Sequence, residues 1–300
     1  MVCWFPRAQE LLEGPFRASK KQPLCYGRPG PTIYMPMTTT NPIRIDHDQK
    51  FPHLEKAPIV EAIIDFRARA VAPWVEDDIT SKITSALQDY PGIQNIGSFS
   101  LIAQLQPPQD SDPVPSLTAT QEDHGWLGVR AESKDGCFVA SFTRDGFALS
   151  RLAPYEDWNS FLNEALRLWQ VYCKLASPHE VLRLGVRFIN KLEVPVQDLD
   201  FSDYFLGLNE EPEGLGTAHF LNQLLLALPG YPYLVKRVQT FQHDRPNNAT
   251  LALLLDIDAF CSEPCDVNSR TINERLADLH WLKNHVFFNS FSGKALEKCR

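Results

Sequence analysis

The chain has 300 residues, 44% hydrophobic and 22% charged, an ordinary globular balance that supports a packed core and excludes wholesale disorder. Its 29 basic and 37 acidic residues leave a net charge of −8, which argues against sequence-independent nucleic-acid binding or attachment to an anionic membrane and leaves open only a local basic groove. No run of about 18 apolar residues occurs; the stretches at Leu221–Leu228 and Leu251–Leu255 are cut by Pro229-Gly230 and Asp256, so no membrane-spanning helix is predicted.

Residues 1–36 differ from the rest. They hold five basic and two acidic residues, show neither helical nor strand periodicity, and include the breaker cluster Gly27-Arg28-Pro29-Gly30-Pro31. They are read as a disordered extension or a misassigned start, with translation then beginning at Met37; the competing reading is an arm docked on the domain. The first seven residues lack the basic-then-apolar order of a secretory signal, and the seven cysteines are an odd number without repeated spacing. A cytoplasmic protein with reduced thiols is expected.

From Ala57 the pattern sharpens into an α+β domain over 37–300. Residues 59–69 alternate as a strand with Glu61, Asp65, Arg67 and Arg69 on one face and Val60, Ala62, Ile64 and Phe66 on the other. A helix follows through Ile79, Ile83, Ala86, Leu87 and Tyr90, stopped by Pro91-Gly92. A short strand near Phe99–Leu105 leads into a proline-rich loop at Gln106–Ser116. Trp126–Ala131, Cys137–Thr143 and Phe147–Leu152, separated by Asp135-Gly136 and Asp145-Gly146, predict a three-stranded meander. Trp158 to Leu175 carries apolar residues every three or four positions and is the longest predicted helix.

Glu180–Val194 alternates again, with Leu182, Leu184, Val186 and Phe188 on one face and Arg183, Gly185, Arg187 and Ile189 on the other. A helix is expected around His219–Leu228, then a hairpin of Val235–His243 and Ala249–Ile257 across Arg245-Pro246-Asn247-Asn248. A final helix opens on Thr271-Ile272-Asn273-Glu274, which has the form of a capping box. The order implies antiparallel sheets with helices packed on one face, and two similar halves at 50–178 and 179–297.

No motif specifies a reaction. Cys261, Cys265, Cys299, His280 and His285 lack metal-ligand spacing, the two histidines pointing about 140° apart on a helix, so no metal and no cofactor are predicted. Gly214-Leu215-Gly216 and Ser292-Gly293-Lys294 are only fragments of phosphate-binding loops. His124 and His243 sit at hairpin ends. What remains is a charge constellation: Glu61 and Asp65 on one strand, Arg183 and Arg187 on another, each pair about 7 Å apart. If the strands are neighbours, these four form a cross-strand ion-pair ladder, or the guanidinium groups hold an anion.

Several segments together resemble a sporadically distributed family of uncharacterised bacterial proteins. They are Ala57-Pro58-Ile59-Val60-Glu61-Ala62, Phe142-Thr143-Arg144-Asp145-Gly146-Phe147 with Ser150-Arg151-Leu152, Pro154-Tyr155-Glu156-Asp157-Trp158, Arg183 to Lys191, and Leu255-Asp256-Ile257-Asp258. The resemblance covers about residues 50–297 and implies a single-unit bacterial protein from an accessory or mobile locus. It supplies no catalytic residue. Glu61, Asp65, Arg183, Arg187 and Asn190 are therefore the first candidate cluster on chemical grounds, with Arg144, Arg151 and Tyr155 as secondary candidates. The expected function is a non-catalytic binding or protein-interaction module, with a protein or a small anion as partner and self-association open. The alternative is an enzyme whose arginine pair holds a phosphorylated or carboxylated substrate.

Overall fold

A computed structural model describes residues 43–106, 116–197, 199–208, 213–242, 249–267 and 270–300, with backbone alone for 99–106 and 116–124. The expectations for residues 1–36, for the interior of the 106–116 loop, for the turn at 245–248, and for the side chains of His124 and His243 lie outside the described residues.

Along the chain run β1 (Ile59–Arg67), α1 (Glu76–Ala86), β2 (Gly92–Gln106), β3 (Ser116–Glu132), β4 (Phe138–Thr143), β5 (Gly146–Leu152) and α2 (Trp158–Ala176). Then come β6 (Glu180–Val181), β7 (Arg183–Pro195), a 3-10 turn at Phe201–Asp203, β8 (Leu221–Ala227), β9 (Tyr233–Gln242), β10 (Thr250–Cys261), β11 (Cys265–Asp266), α3 (Arg270–Phe288) and α4 (Gly293–Glu297). Nine strands form one antiparallel sheet in the order β2-β3-β4-β5-β1-β7-β10-β9-β8, while β6 and β11 pair separately. The α+β expectation is met at this level: a large antiparallel sheet with helices.

The period-two pattern of the central strands gives the sheet two unlike faces. Ala62, Ile64 and Phe66 of β1, Leu184, Val186 and Phe188 of β7, and Leu253, Leu255 and Ile257 of β10 are buried on the core face. Glu61, Asp65, Arg183, Arg187, Asp256 and Asp258 alternate with them on the outer face. Helix α2 opens where the Asp157 carboxylate accepts the Ser160 N–H and ends at Ser177, left-handed with φ 46°, just before Pro178. Its stripe of Phe161, Ala165, Leu168, Trp169 and Tyr172 is buried, and Trp169 stacks on Phe66 with ring centroids 4.4 Å apart.

Four local expectations change. Residues 221–227 form strand β8, not a helix. The run carries apolar side chains on both faces, a pattern that periodicity alone does not assign, and antiparallel pairing with β9 decides the outcome; Pro229-Gly230, with Gly230 at φ 82°, serves as the hairpin turn. β8 ends the sheet with Leu221, Leu224 and Leu225 exposed. The strand expected at 180–194 is broken at Leu182, which is exposed, so Val181 takes the buried position. β2 and β3 are far longer than Phe99–Leu105 and Trp126–Ala131, because they pair over their full length as one hairpin. Finally, α3 is already helical at Arg270, so Thr271 lies within the helix and not at its cap.

Candidate functional site

β1 and β7 are antiparallel neighbours, with Asp65 opposite Gly185 and Ile63 opposite Arg187, and β10 flanks β7 with Asp258 opposite Arg187. This register brings Asp65, Arg183, Arg187, Asp256 and Asp258 together on the outer face. Arg183 reaches both neighbours: its Nη1 donates to Asp65, its Nη2 donates to both Asp258 oxygens at 2.9 Å, and its guanidinium lies 4.5 Å above the Phe260 ring centre. Arg187 forks onto Asp256 with bonds of 2.8 and 2.5 Å. Gly185 makes the first pair feasible, since a Cβ there would lie 2.3 Å from an Asp65 oxygen and 2.5 Å from the Arg183 Nη1.

The electrostatics of the ladder follow from its half-buried setting. Burial pulls the Arg183 pKa down, but Asp65 and Asp258 together raise it above its usual value. Asp258 is raised by burial, with Asp65 adding to the rise and Arg183 opposing it. Arg187 is raised chiefly by its hydrogen bond to Asp256.

The expected partners differ in one respect. Glu61 stands opposite Ile189 on β7 and joins no ion pair among the described residues; Asp256 and Asp258, from the strand on the other side of β7, take its place. A double-mutant cycle between Arg187→Gln and Asp256→Asn is expected to give a coupling of about 1 kcal/mol, against less than about 0.3 kcal/mol for Glu61→Gln with Arg187→Gln. Equal couplings measured by chemical unfolding would contradict the register.

Three other candidates lie elsewhere. Arg144 is an exposed residue of the β4–β5 turn. Arg151 and Asn190 are on the core face, opposite the ladder. Arg151 is buried over the Phe138 ring, donates to Glu156 at 2.9 Å through Nη2, and leaves Nη1 without a partner. Asn190 donates from Nδ2 to the Leu255 carbonyl at 3.0 Å, and its buried Oδ1 has no hydrogen-bond donor.

Asn190 and Tyr155 instead line a cleft of about 960 Å³ on the core side of the sheet. Its walls are the 47–57 segment, the Ala153–Tyr155 bend, Trp158 at the start of α2, and the face of α3 that carries His280, Lys283, Asn284 and Phe287. The 47–57 segment is tied down as a strap. Trp281 Nε1 donates to Gln49 Oε1 at 3.1 Å, Phe51 stacks on Phe288, and the Lys56 N–H bonds the Cys299 carbonyl.

Lys283 occupies a position of the α3 core stripe, after Leu276 and Leu279 and before Val286, where helical spacing calls for an apolar residue. Only 6% exposed, its ammonium sits 3.8 Å above the Phe188 ring centre and donates to Asn284 Oδ1 at 2.6 Å, and no carboxylate pairs with it among the described residues. Burial pulls its pKa down to about 7. His280 lies flat on Trp158 with centroids 4.0 Å apart, and burial, then Lys283, holds its pKa down near 2, so the imidazole stays neutral. Burial raises the Tyr155 hydroxyl well above the usual phenol value, with Asp157 adding to the rise, so it stays protonated.

The cleft thus offers a desolvated cation, an unpaired amide acceptor, two neutral hydrogen-bonding rings and aromatic walls. Sequence reading weighed His280 only as a metal ligand and missed Lys283. The signal was present in the lysine that interrupts the apolar stripe. Among the described residues no group of His, Cys, Asp and Glu is arranged to hold a metal ion. Comparison with protein-family models, curated proteins and solved structures finds no match for this chain.

Proposed function

We propose that this chain is a non-catalytic binding protein that holds a small, planar organic anion in the Lys283 cleft. The observation behind this reading is Lys283 itself, a buried ammonium without a counter-charge, which costs stability that a bound carboxylate would return. The free Asn190 Oδ1 adds a requirement for a donor on the same ligand, and the stacked Trp158 and His280 favour a flat ring. The competing reading, an enzyme whose arginine pair grips an anionic substrate, requires a ligand to displace Asp65, Asp258 or Asp256 from forks that are already filled.

The proposal extends to architecture and origin. The strand order places β1 beside β7 at the middle, with β5 and β10 next outward on either side, which fits two similar halves whose helices share the core face and whose junction forms the cleft. The segments that resemble the sporadic bacterial family are the basis for reading an accessory bacterial protein, and the odd, irregularly spaced cysteines are the basis for reading a cytoplasmic one.

The test is small-molecule profiling of the purified full chain, comparing wild type with Lys283→Met. Wild type is expected to carry an organic anion that the variant lacks, and rebinding at pH 8 is expected to take up about one proton per site, because the anion restores the charge on a lysine that is otherwise mostly neutral there. Calorimetry in buffers of different ionisation enthalpy reads that proton. An unchanged complement in the variant, or a bound compound released chemically altered by wild type, would overturn the reading.

A further inference from the structure

Another buried cation on the core face differs from Arg151 in having no carboxylate partner among the described residues. Arg237 of β9 is 8% exposed, its Nε is buried without a hydrogen-bond partner, and no carboxylate, carbonyl or ring engages the side chain among the described residues. An arginine stays ionised even where burial lowers its pKa, as it does here, so a full charge sits in a mostly buried side chain whose Nε is unpaired.

The surroundings are built, not accidental. Asn222 Nδ2 bonds Gln239 Oε1 at 2.9 Å and the Gly207 carbonyl at 3.2 Å, and Gln239 Nε2 bonds the Leu206 carbonyl at 3.1 Å, which fixes the 206–207 bend beside the guanidinium. At Gly207, with φ 75°, a Cβ would touch Nη1 and Nη2 at 3.6 and 3.5 Å. Arg237 lines a cavity of about 280 Å³ whose apolar wall includes Leu226, Leu228, Leu282 and Val286, with His285, Asn289 and Ser290 as its other polar residues.

We propose that this cavity binds a small aliphatic monocarboxylate, its two oxygens on the Arg237 fork and its chain against the leucine and valine wall. A planar carboxylate matches the guanidinium edge in two parallel hydrogen bonds. One cation neutralises one negative charge, whereas an inorganic phosphate dianion would bring a second, uncompensated charge into an apolar wall. The volume sits just below the usual range for drug-sized ligands, which favours a short chain. This site is separate from the Lys283 cleft and shares none of its lining residues.

The experiment titrates acetate, butyrate, hexanoate and octanoate into the full chain at pH 7.5, with hexan-1-ol and inorganic phosphate as controls, followed by calorimetry and by thermal shift. Saturable binding is expected for butyrate or hexanoate and for neither control. Arg237→Gln is expected to abolish it, and Arg237→Lys, which keeps the charge and fold but loses the fork, to weaken it at least tenfold. Lys283→Met is expected to leave it intact, so failure of the cleft reading and failure of this one are distinguishable. Absence of saturable binding by every carboxylate, saturation by phosphate alone, or equal affinity in Arg237→Lys would overturn the proposal.

Discussion

Replacing Lys283 with methionine is expected to stabilise the free protein at pH 7 by about 2–4 kcal/mol, since an ammonium without a counter-charge leaves the core and a thioether of similar length fills its place over Phe188. The pH dependence isolates the cause. In the unfolded chain this lysine binds its proton up to about pH 10.5, whereas in the folded chain it releases it near 7. The unfolded state therefore holds more protons between those values, and wild-type stability gains up to about 1.4 kcal/mol per pH unit across that window from this group. The penalty is fully present below pH 7. The methionine variant loses the slope, so the difference between the two proteins should shrink steadily from pH 7 to 10. Parallel stability curves from chemical unfolding over that range would show that Lys283 is not desolvated as described.

The opposite sign is expected on the outer face. Arg183→Met leaves the Asp65 and Asp258 carboxylates on strands either side of β7 with no cation between them, in a setting where each side chain is only about a fifth exposed. A loss of about 2–3 kcal/mol is expected, below the 3–5 kcal/mol typical when one partner of a fully buried pair is removed, because water still reaches the face. For a chain of this size that is a fall in unfolding temperature of roughly 3–5 °C. Removing the arginine takes away a cation that opposes the burial-driven rise of the Asp258 carboxyl, so acidification neutralises stranded charge and relieves the defect. The deficit measured at pH 7 should therefore exceed that at pH 4. A variant within about 0.5 kcal/mol of wild type at pH 7 would mean that the ladder is solvated and contributes little.

These two sites differ in how far the sequence disclosed them. The alternation that sorts Asp65, Arg183 and Arg187 onto one side of their strands is a local property, and so it was legible. Asp256 and Asp258 alternate in the same way, but which strand lies beside β7 is a long-range fact that no local period encodes, and so Glu61 was assigned a role that β10 fills. Asn190 follows the same alternation onto the core face, away from the arginines it was grouped with. Strand β8 illustrates a different limit, because Leu221 to Ala227 is apolar at both two- and three-residue spacing and only its pairing with β9 selects the extended form. Lys283 was hidden because Leu282 completes the helical stripe of Leu276, Leu279 and Val286 by itself, and a lysine next to such a stripe is ordinarily solvated. The helical angle puts both inside.

The position of β1 has a consequence for how the chain is made. Among the described residues it is the first strand in chain order, yet its partners on either side are β5, ending at Leu152, and β7, whose Arg187 lies opposite Ile63. At roughly 5–20 residues per second, the stripe of Ala62, Ile64 and Phe66 waits on the order of 5–20 s for its first neighbour, and longer for its second. Neither the α2 face that covers Phe66 nor the guanidinium that meets Asp65 exists until then. Synthesis thus passes through an interval in which β1 has neither of its sheet neighbours, and the pairing it waits for is strongly non-local, the kind of contact that slows folding.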